Sequence, residues 1–393
     1  MSSAEQVRTS IDGVLESAVA SGAVPNVAAI AADRSGIIYE GAAGPRVVGE
    51  SDPVTVDTHF RIMSMTKMVA TVAALQLMER RELDFDAPIE RYCPEWADVQ
   101  VLEGFEGDEP ILRQPATQAT VRQLITHTTG ASYWFWNPDI ARWEALTGTP
   151  NVLSGDNVIF TAPLVADPGT KFEYGINTDW LGKVIEAAAG STLDVVISEN
   201  VTGPLGMTET AFLMTDAQRA KSVPIHLKGE DRAWAPSDIE LRQDPDYWTG
   251  GHGLHSTPRD YLKFQRAVLG DGTSPDGVKI LEKDTVDAAF SNQIGDLDFP
   301  AEIPTGDPAT THPLQLGPGF KWGYGLLLNT EDIPGRRRAW TGAWAGLLNT
   351  HFWVDRTAGV AGAIYTQFLP FVTPEALQMY EDYERALYAS LTG

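Results

Sequence analysis

The chain has 393 residues, enough for one large core or two domains, and its 43% hydrophobic, 21% charged composition is that of an ordinary globular protein. Fifty-three acidic residues against 29 basic ones give a formal net charge of −24, which argues against a nucleic-acid or anionic-membrane partner. A single cysteine, Cys93, excludes an internal disulfide framework and a multi-cysteine zinc site, and no apolar run approaches the roughly 20 residues that span a bilayer.

The opening "MSSAEQVRTSIDGVLESAVASG" reads as an amphipathic helix without the basic and apolar regions of a secretory signal, so a soluble, cytoplasmic protein is expected. "NVAAIAADRSGIIYEGAAG" reads as two short strands around an "RSG" turn. "FRIMSMTKMVATVAALQLM" then reads as an apolar helix, and "LDFDAPIERYCPEW" as a Pro-bounded connector. "TVRQLITHTTG" predicts a short helix stopped by Gly130, and "YWFWNPDIARWEALTG" an aromatic-rich excursion. "NTDWLGKVIEAAAG" predicts a helix capped by Asn177 or Thr178 and stopped by Gly190. "TPRDYLKFQRAVLG" predicts another, between Pro258 and Gly270. From about Lys321, "WGYGLLLNT", "LLNTHFWVDRTAG" and "VAGAIYTQF" read as strands, and "TPEALQMYEDYERALYASL" as a closing helix.

This order predicts an α+β fold. The N-terminal strands have too few neighbours of their own, so they are expected to join the C-terminal ones in one antiparallel sheet with both terminal helices on its face. The expected division is 1–60 plus 240–393 as the sheet domain and 61–239 as a mainly helical domain, with the active site between them.

Three elements can carry chemistry. Ser64 and Lys67 are three apart, so on a helix their side chains share a face. Ser64 lies near the helix start, where free N–H groups favour negative charge, and the apolar neighbours of Lys67 favour its neutral form. That pairs a nucleophile with a base. The alternative is that Ser64 caps the helix while Lys67 snorkels to solvent. Tyr174 follows a Pro-Gly turn and precedes a helix, so a loop holds its phenol. The phenol can shuttle a proton if a nearby lysine lowers its pKa; otherwise it is a buried tyrosine with a satisfied hydroxyl. The glycine-containing "AWTGAWAGLLNTHFWVD" can run past the serine and offer a backbone N–H to an oxyanion.

In this order the three elements resemble the serine beta-lactamase and penicillin-binding-protein superfamily, whose S-x-x-K signature Ser64–Lys67 matches. The chain is most similar to family VIII carboxylesterases and related fungal-type acyltransferases. "FRIMSMTK", "LITHTTG", "YGINTDWLGKVIEAAAG", "PLGMTET", "GGHGLHSTPRDYLKF" and "WAGLLNTHFWVD" carry the resemblance over nearly the whole chain. It implies that Ser64 is acylated, Lys67 is its base partner and Tyr174 shuttles the proton. It also implies a strand triplet, either Trp340-Thr341-Gly342 or Trp344-Ala345-Gly346. The spacing to "FWVD" favours the second, with Leu347 and Ser64 supplying oxyanion N–H groups.

Two departures stand out. Ile176 occupies the asparagine place of the lactamase Tyr-x-Asn motif, and tryptophan replaces the strand lysine that would meet a lactam carboxylate. Arg336, Arg337 and Arg338 are expected to be solvated in the turn before the strand. His252 and His255 lack a third ligand, so neither metal nor cofactor is expected. Ile176, His252 and Leu254, with Trp344 and Gly346 of the strand, are candidates to border the substrate pocket, and His127 to bond a loop backbone. Tyr133, Trp134, Phe135 and Trp136 are expected to wall an apolar acyl or alcohol pocket, since four consecutive aromatics cannot all face one core. No G-x-S-x-G elbow is present. The expected activity is hydrolysis of small carboxylic esters through an acyl-enzyme. An acyltransferase, a D-aminopeptidase or beta-lactamase, and a silent binding homologue are the rivals, and the oligomeric state is left open.

Overall fold

The structure, a computed structural model, describes residues 3–391; the first two residues of the expected N-terminal helix lie outside them. Its frame is α1 (Ser3–Ala20), β1 (Val27–Asp33), β2 (Ile37–Ala43), α2 (Thr66–Glu79), α3 (Asn177–Ala189), α4 (Pro258–Leu269), β3 (Phe320–Trp322), β4 (Leu327–Asn329), β5 (Gly342–Gly346), β6 (Thr350–Asp355), β7 (Val360–Tyr365) and α5 (Pro374–Leu391).

The seven strands form one antiparallel sheet in the order β3-β4-β5-β6-β7-β1-β2. The N-terminal hairpin closes onto the C-terminal meander, with Ala28 opposite Tyr365 and Asp33 opposite Val360. Strand alternation explains why β1 is nearly all alanine, valine and isoleucine: both of its faces are covered. Ala29 and Ala31 pack with Ile11 and Leu15 of α1 and Tyr383 and Leu387 of α5. Ala28, Ile30 and Ala32 face the other way, into the core that holds α2 and Leu262 and Phe264 of α4.

The expected strand "WGYGLLLNT" is shorter than its apolar run suggests. Gly325 takes a positive φ of 73° in the turn between β3 and β4, so the run is split, with Trp322 ending β3 and only Leu327–Asn329 forming β4. The helix of "TVRQLITHTTG" also stops early, at Ile125, because His127 is left-handed at φ 55°. α3 begins at Asn177 with Ile176 at its N-cap and no side-chain cap bond, so neither Asn177 nor Thr178 caps it. Among the described residues no helix is long and apolar enough to cross a membrane.

α2 is the buried spine next to the sheet: every residue from Thr66 to Leu77 is buried. Such all-round burial explains a helix without amphipathic pattern. Its N-terminus points toward the end of β5, and Ser64 lies at this junction.

Candidate active site

Ser64 sits in a single 3-10 turn, Met63–Met65, that runs directly into α2. The preceding residue, Met63, is left-handed at φ 47°, a strained conformation for a non-glycine residue. Neighbours hold the turn in place. Thr350 Oγ1 donates to the Ile62 carbonyl, Leu254 N–H donates to Thr66 Oγ1, and the Tyr261 hydroxyl donates to the Met65 carbonyl. Gly346 at the end of β5 lies against the same turn; a Cβ there would stand 2.3 Å from the Ile62 carbonyl oxygen. Ser64 does not cap the helix, since Met65 is at the N-cap and no side chain caps it.

Lys67 does not snorkel. It is 1% exposed, and its Nζ lies 3.0 Å from Ser64 Oγ, 3.0 Å from the Tyr133 hydroxyl and 2.8 Å from the Gly251 carbonyl oxygen. Burial pushes its pKa below the usual lysine value, and the charge of Asp179 pulls it partly back.

Tyr174 is also buried, and its hydroxyl bonds to Ser64 and accepts a hydrogen bond from Trp344 Nε1 at 3.0 Å. Its ring stands among those of His127, Tyr133, Trp136 and Trp344, with centroids 4.9–5.2 Å away. This aromatic cage reverses one expectation. Burial raises the phenol's pKa, outweighing its hydrogen bonds to Ser64 and Trp344, rather than a lysine lowering it. Tyr174 is therefore held as a neutral phenol, a proton donor more readily than a base.

Of the two strand triplets, Trp344-Ala345-Gly346 lies at the serine, while Trp340 is 44% exposed in the turn before β5. Leu347 follows Gly346 and lines the same cleft as Ser64. That cleft has a volume of about 460 Å³, and Phe135, Trp136, Phe299, Ile303 and Trp344 are among its lining residues.

The aromatic run divides. Phe135 and Trp136 wall the cleft, Tyr133 turns inward to Lys67, and Trp134 donates its Nε1 proton to Asp307 at 3.2 Å. Tyr133 and Trp134 are thus not cleft walls. Ile176, His252 and Leu254 do not line the cleft either. Ile176 and Leu254 are buried in the core, and His252 faces a separate small pocket beside Arg61 and His255. Burial lowers the His252 imidazole to about 3, keeping it neutral, with Lys67 adding to the effect. His127 bonds the Asn177 side chain through Nδ1 at 3.1 Å rather than a loop backbone, and Asn177 also donates to the Ala131 carbonyl. The asparagine one place late in the motif thus ties down the 127–131 loop.

The arginine run is not uniformly solvated. Arg336 and Arg337 both pair with the fully buried Glu384 of α5, and only Arg338 is half exposed, pairing with Asp332. Among the described residues, no group of three or more His, Cys, Asp or Glu is placed to hold a metal ion.

Sequence reasoning missed Asp179 and Gly251. Asp179, fully buried in the first turn of α3, accepts the Gly251 N–H at 3.0 Å and lies within hydrogen-bonding reach of Tyr133. An aspartate at a helix start carries no sequence signal of burial, because favourable dipole interactions place exposed ones there too.

With this geometry in view, comparison with known proteins gives the family. Residues 11–383 match the Beta-lactamase family. The chain belongs to the beta-lactamase family. It is 32% identical over 375 residues to a lovastatin esterase of Penicillium rubens, covering 90% of this chain and 91% of that one. It is 30% identical to a monacolin J acid methylbutanoyltransferase of Aspergillus terreus, covering 95% and 93%. The fold matches unliganded simvastatin synthase from Aspergillus terreus with a TM-score of 0.82 and 28% identity, covering 96% of this chain and 97% of that one. EstCE1, described as a hydrolase with promiscuous acyltransferase activity, shares the fold at a TM-score of 0.78 and 22% identity, covering 97% and 99%. Esterases and acyltransferases of this fold are therefore its relatives, and the chain is an enzyme of the serine-hydrolase kind.

Proposed function

We propose that the protein is a carboxylesterase that passes through an acyl-enzyme on Ser64. The observation that carries this reading is the contact of Ser64 Oγ with the buried Lys67 Nζ at 3.0 Å, with the neutral Tyr174 phenol on its other side. As Ser64 Oγ attacks the ester carbonyl, its O–H bond breaks and the proton passes to Lys67. The N–H groups of Ser64 and Leu347 hold the oxyanion. Collapse breaks the ester C–O bond; the alkoxide takes the Tyr174 proton, and the proton held by Lys67 restores the phenol. Water then attacks the acyl-enzyme by the reverse relay, releasing the acid and regenerating Ser64. No cofactor enters this scheme.

The aromatic part of the cleft, Phe135, Trp136, Phe299 and Trp344, suits esters with a bulky hydrophobic acyl or alcohol part, while Glu331, Asp332, Arg336, Arg337 and Glu381 line the same cleft with charge. Trp344 in the place of the strand lysine removes the cation that would greet a lactam carboxylate, which speaks against beta-lactamase activity. A cytoplasmic location belongs to the same proposal, supported by a single cysteine that is buried and unpaired.

The test is the Ser64→Ala variant together with intact-mass detection of a fluorophosphonate adduct. One adduct on the wild type, none on the variant, and a loss of ester hydrolysis by at least about 10³-fold are expected. Hydrolysis by Ser64→Ala at the wild-type rate would overturn the mechanism.

Acyl transfer to an alcohol is the second reading, favoured by the aromatic walls of the cleft, which hinder water. Following a p-nitrophenyl ester with and without added alcohols separates the two. Release of alkyl ester in place of acid supports transfer, and unchanged acid release supports hydrolysis.

A further inference from the structure

Lys67 is a buried base whose surroundings must also accept it as a cation. Once it takes the serine proton it is an ammonium at 1% exposure, and an uncompensated buried charge is costly. Its three contacts are all to neutral groups: Ser64 Oγ, the Tyr133 hydroxyl and the Gly251 carbonyl.

Behind two of these contacts stands one carboxylate. Gly251 is a two-sided bridge, its carbonyl accepting from Lys67 at 2.8 Å and its N–H donating to Asp179 Oδ1 at 3.0 Å. A Cβ at Gly251 would stand 2.5 Å from Asp179 Oδ2, so only glycine lets that peptide pass between the two charges. Tyr133 is the second bridge, its hydroxyl accepting from Lys67 at 3.0 Å and lying beside Asp179, whose buried Oδ2 has no hydrogen-bond partner. Asp179 itself is 0% exposed.

We infer that Asp179 is the counter-charge of the catalytic lysine, a positioning residue that acts through Tyr133 and the Gly251 peptide to stabilise the Lys67 ammonium formed when Ser64 is deprotonated. The inference rests on the proposed role of Ser64 and Lys67. The other titratable groups facing the pair remain uncharged: Tyr133, Tyr174 and Tyr247 are phenols raised by burial, and His127 and His252 are imidazoles lowered by it. Burial raises the Asp179 carboxyl above the usual carboxylate range and the charge of Lys67 pulls it partly back, so among these groups Asp179 is the one whose charged form Lys67 favours.

The sign follows. An anion beside Lys67 favours its ammonium form, so removing the anion makes the lysine a weaker base. In Asp179→Asn the acidic limb of kcat/KM, below which Lys67 is protonated, moves to lower pH by about one unit or more. The alkaline plateau falls by about tenfold or more through kcat, with KM little changed. The rate of fluorophosphonate labelling at Ser64 follows the same shifted profile, which reads nucleophile activation independently of turnover. Tyr133→Phe, which keeps the carboxylate and the ring, shifts the limb in the same direction by less; it also serves if Asp179→Asn does not fold.

A uniform loss of rate with the limb unmoved in both variants would overturn the role of Asp179 and leave a structural one. Absence of labelling at Ser64 in the wild type would instead overturn the acyl-enzyme reading.

Discussion

Trp344 Nε1 donates to the Tyr174 hydroxyl oxygen at 3.0 Å, and the same phenol bonds to Ser64. Because an indole N–H only donates, it leaves the tyrosine proton free to point at the serine and the departing alkoxide. In the proposed relay, the tryptophan that takes the place of the strand lysine therefore orients a proton donor. In Trp344→Phe the ring packing against Tyr174 and Trp322 can persist while the donor is lost. The expected result is a fall in kcat of about tenfold, the worth of one buried hydrogen bond, with KM nearly unchanged. Steady-state kinetics on a p-nitrophenyl ester read it, and wild-type kcat would refute the orienting role.

Lys67 is held below the ordinary lysine pKa by burial. Activity should therefore rise with pH as Lys67 loses its proton and reach its plateau well below pH 10.5, the ordinary lysine value. Lys67→Arg keeps the charge but cannot deprotonate, so its activity should stay at least about 10²-fold down across the accessible pH range. A pH–rate series on both proteins checks this, and recovery of the arginine variant at high pH would contradict it.

Gly346 permits the approach of β5 to the serine turn. Gly346→Ala would place a methyl 2.3 Å from the Ile62 carbonyl oxygen and 2.4 Å from Thr350 Oγ1. The strand must retreat, carrying the Leu347 N–H away from the oxyanion position. A loss of about 10²-fold in kcat and about 1–3 kcal/mol of stability is expected. Kinetics and a denaturant titration of the same sample measure both; a stability loss with full activity would exclude Leu347 as an oxyanion donor.

Glu384 joins α5 to the turn before β5 by pairing with both Arg336 and Arg337, the Arg337 Nε–Glu384 Oε1 separation being 2.9 Å. Glu384→Ala leaves the Arg337 guanidinium, 10% exposed in its side chain, without its carboxylate. A destabilisation of about 3–5 kcal/mol is expected, read as a lower denaturant midpoint. Arg336 keeps Glu381 as a second partner at 2.9 Å, so an unchanged midpoint would mean that solvent satisfies Arg337.

What was legible in the sequence was local. The one-turn spacing of Ser64 and Lys67 and the apolar run around them foretold a buried pair. The alternation in "NVAAIAADRSGIIYEGAAG" foretold a hairpin in need of partners. The aromatic run at Tyr133–Trp136 was read as one wall, because spacing along a loop does not say where each ring points; the structure sends two rings to the cleft, one to the lysine and one to Asp307.

By itself the sequence determined the juxtaposition of Ser64 and Lys67, the sheet-forming segments and the terminal helices, since these depend on helical and strand periodicity within a few residues. Only the tertiary structure decided that Asp179, 112 positions after Lys67, stands behind it through Gly251 and Tyr133. Only the tertiary structure buried the Tyr174 phenol, raising its pKa, and buried Arg337 against α5. Protonation and pairing are set by which distant groups exclude water from a side chain, and that exclusion exists only once the chain has folded.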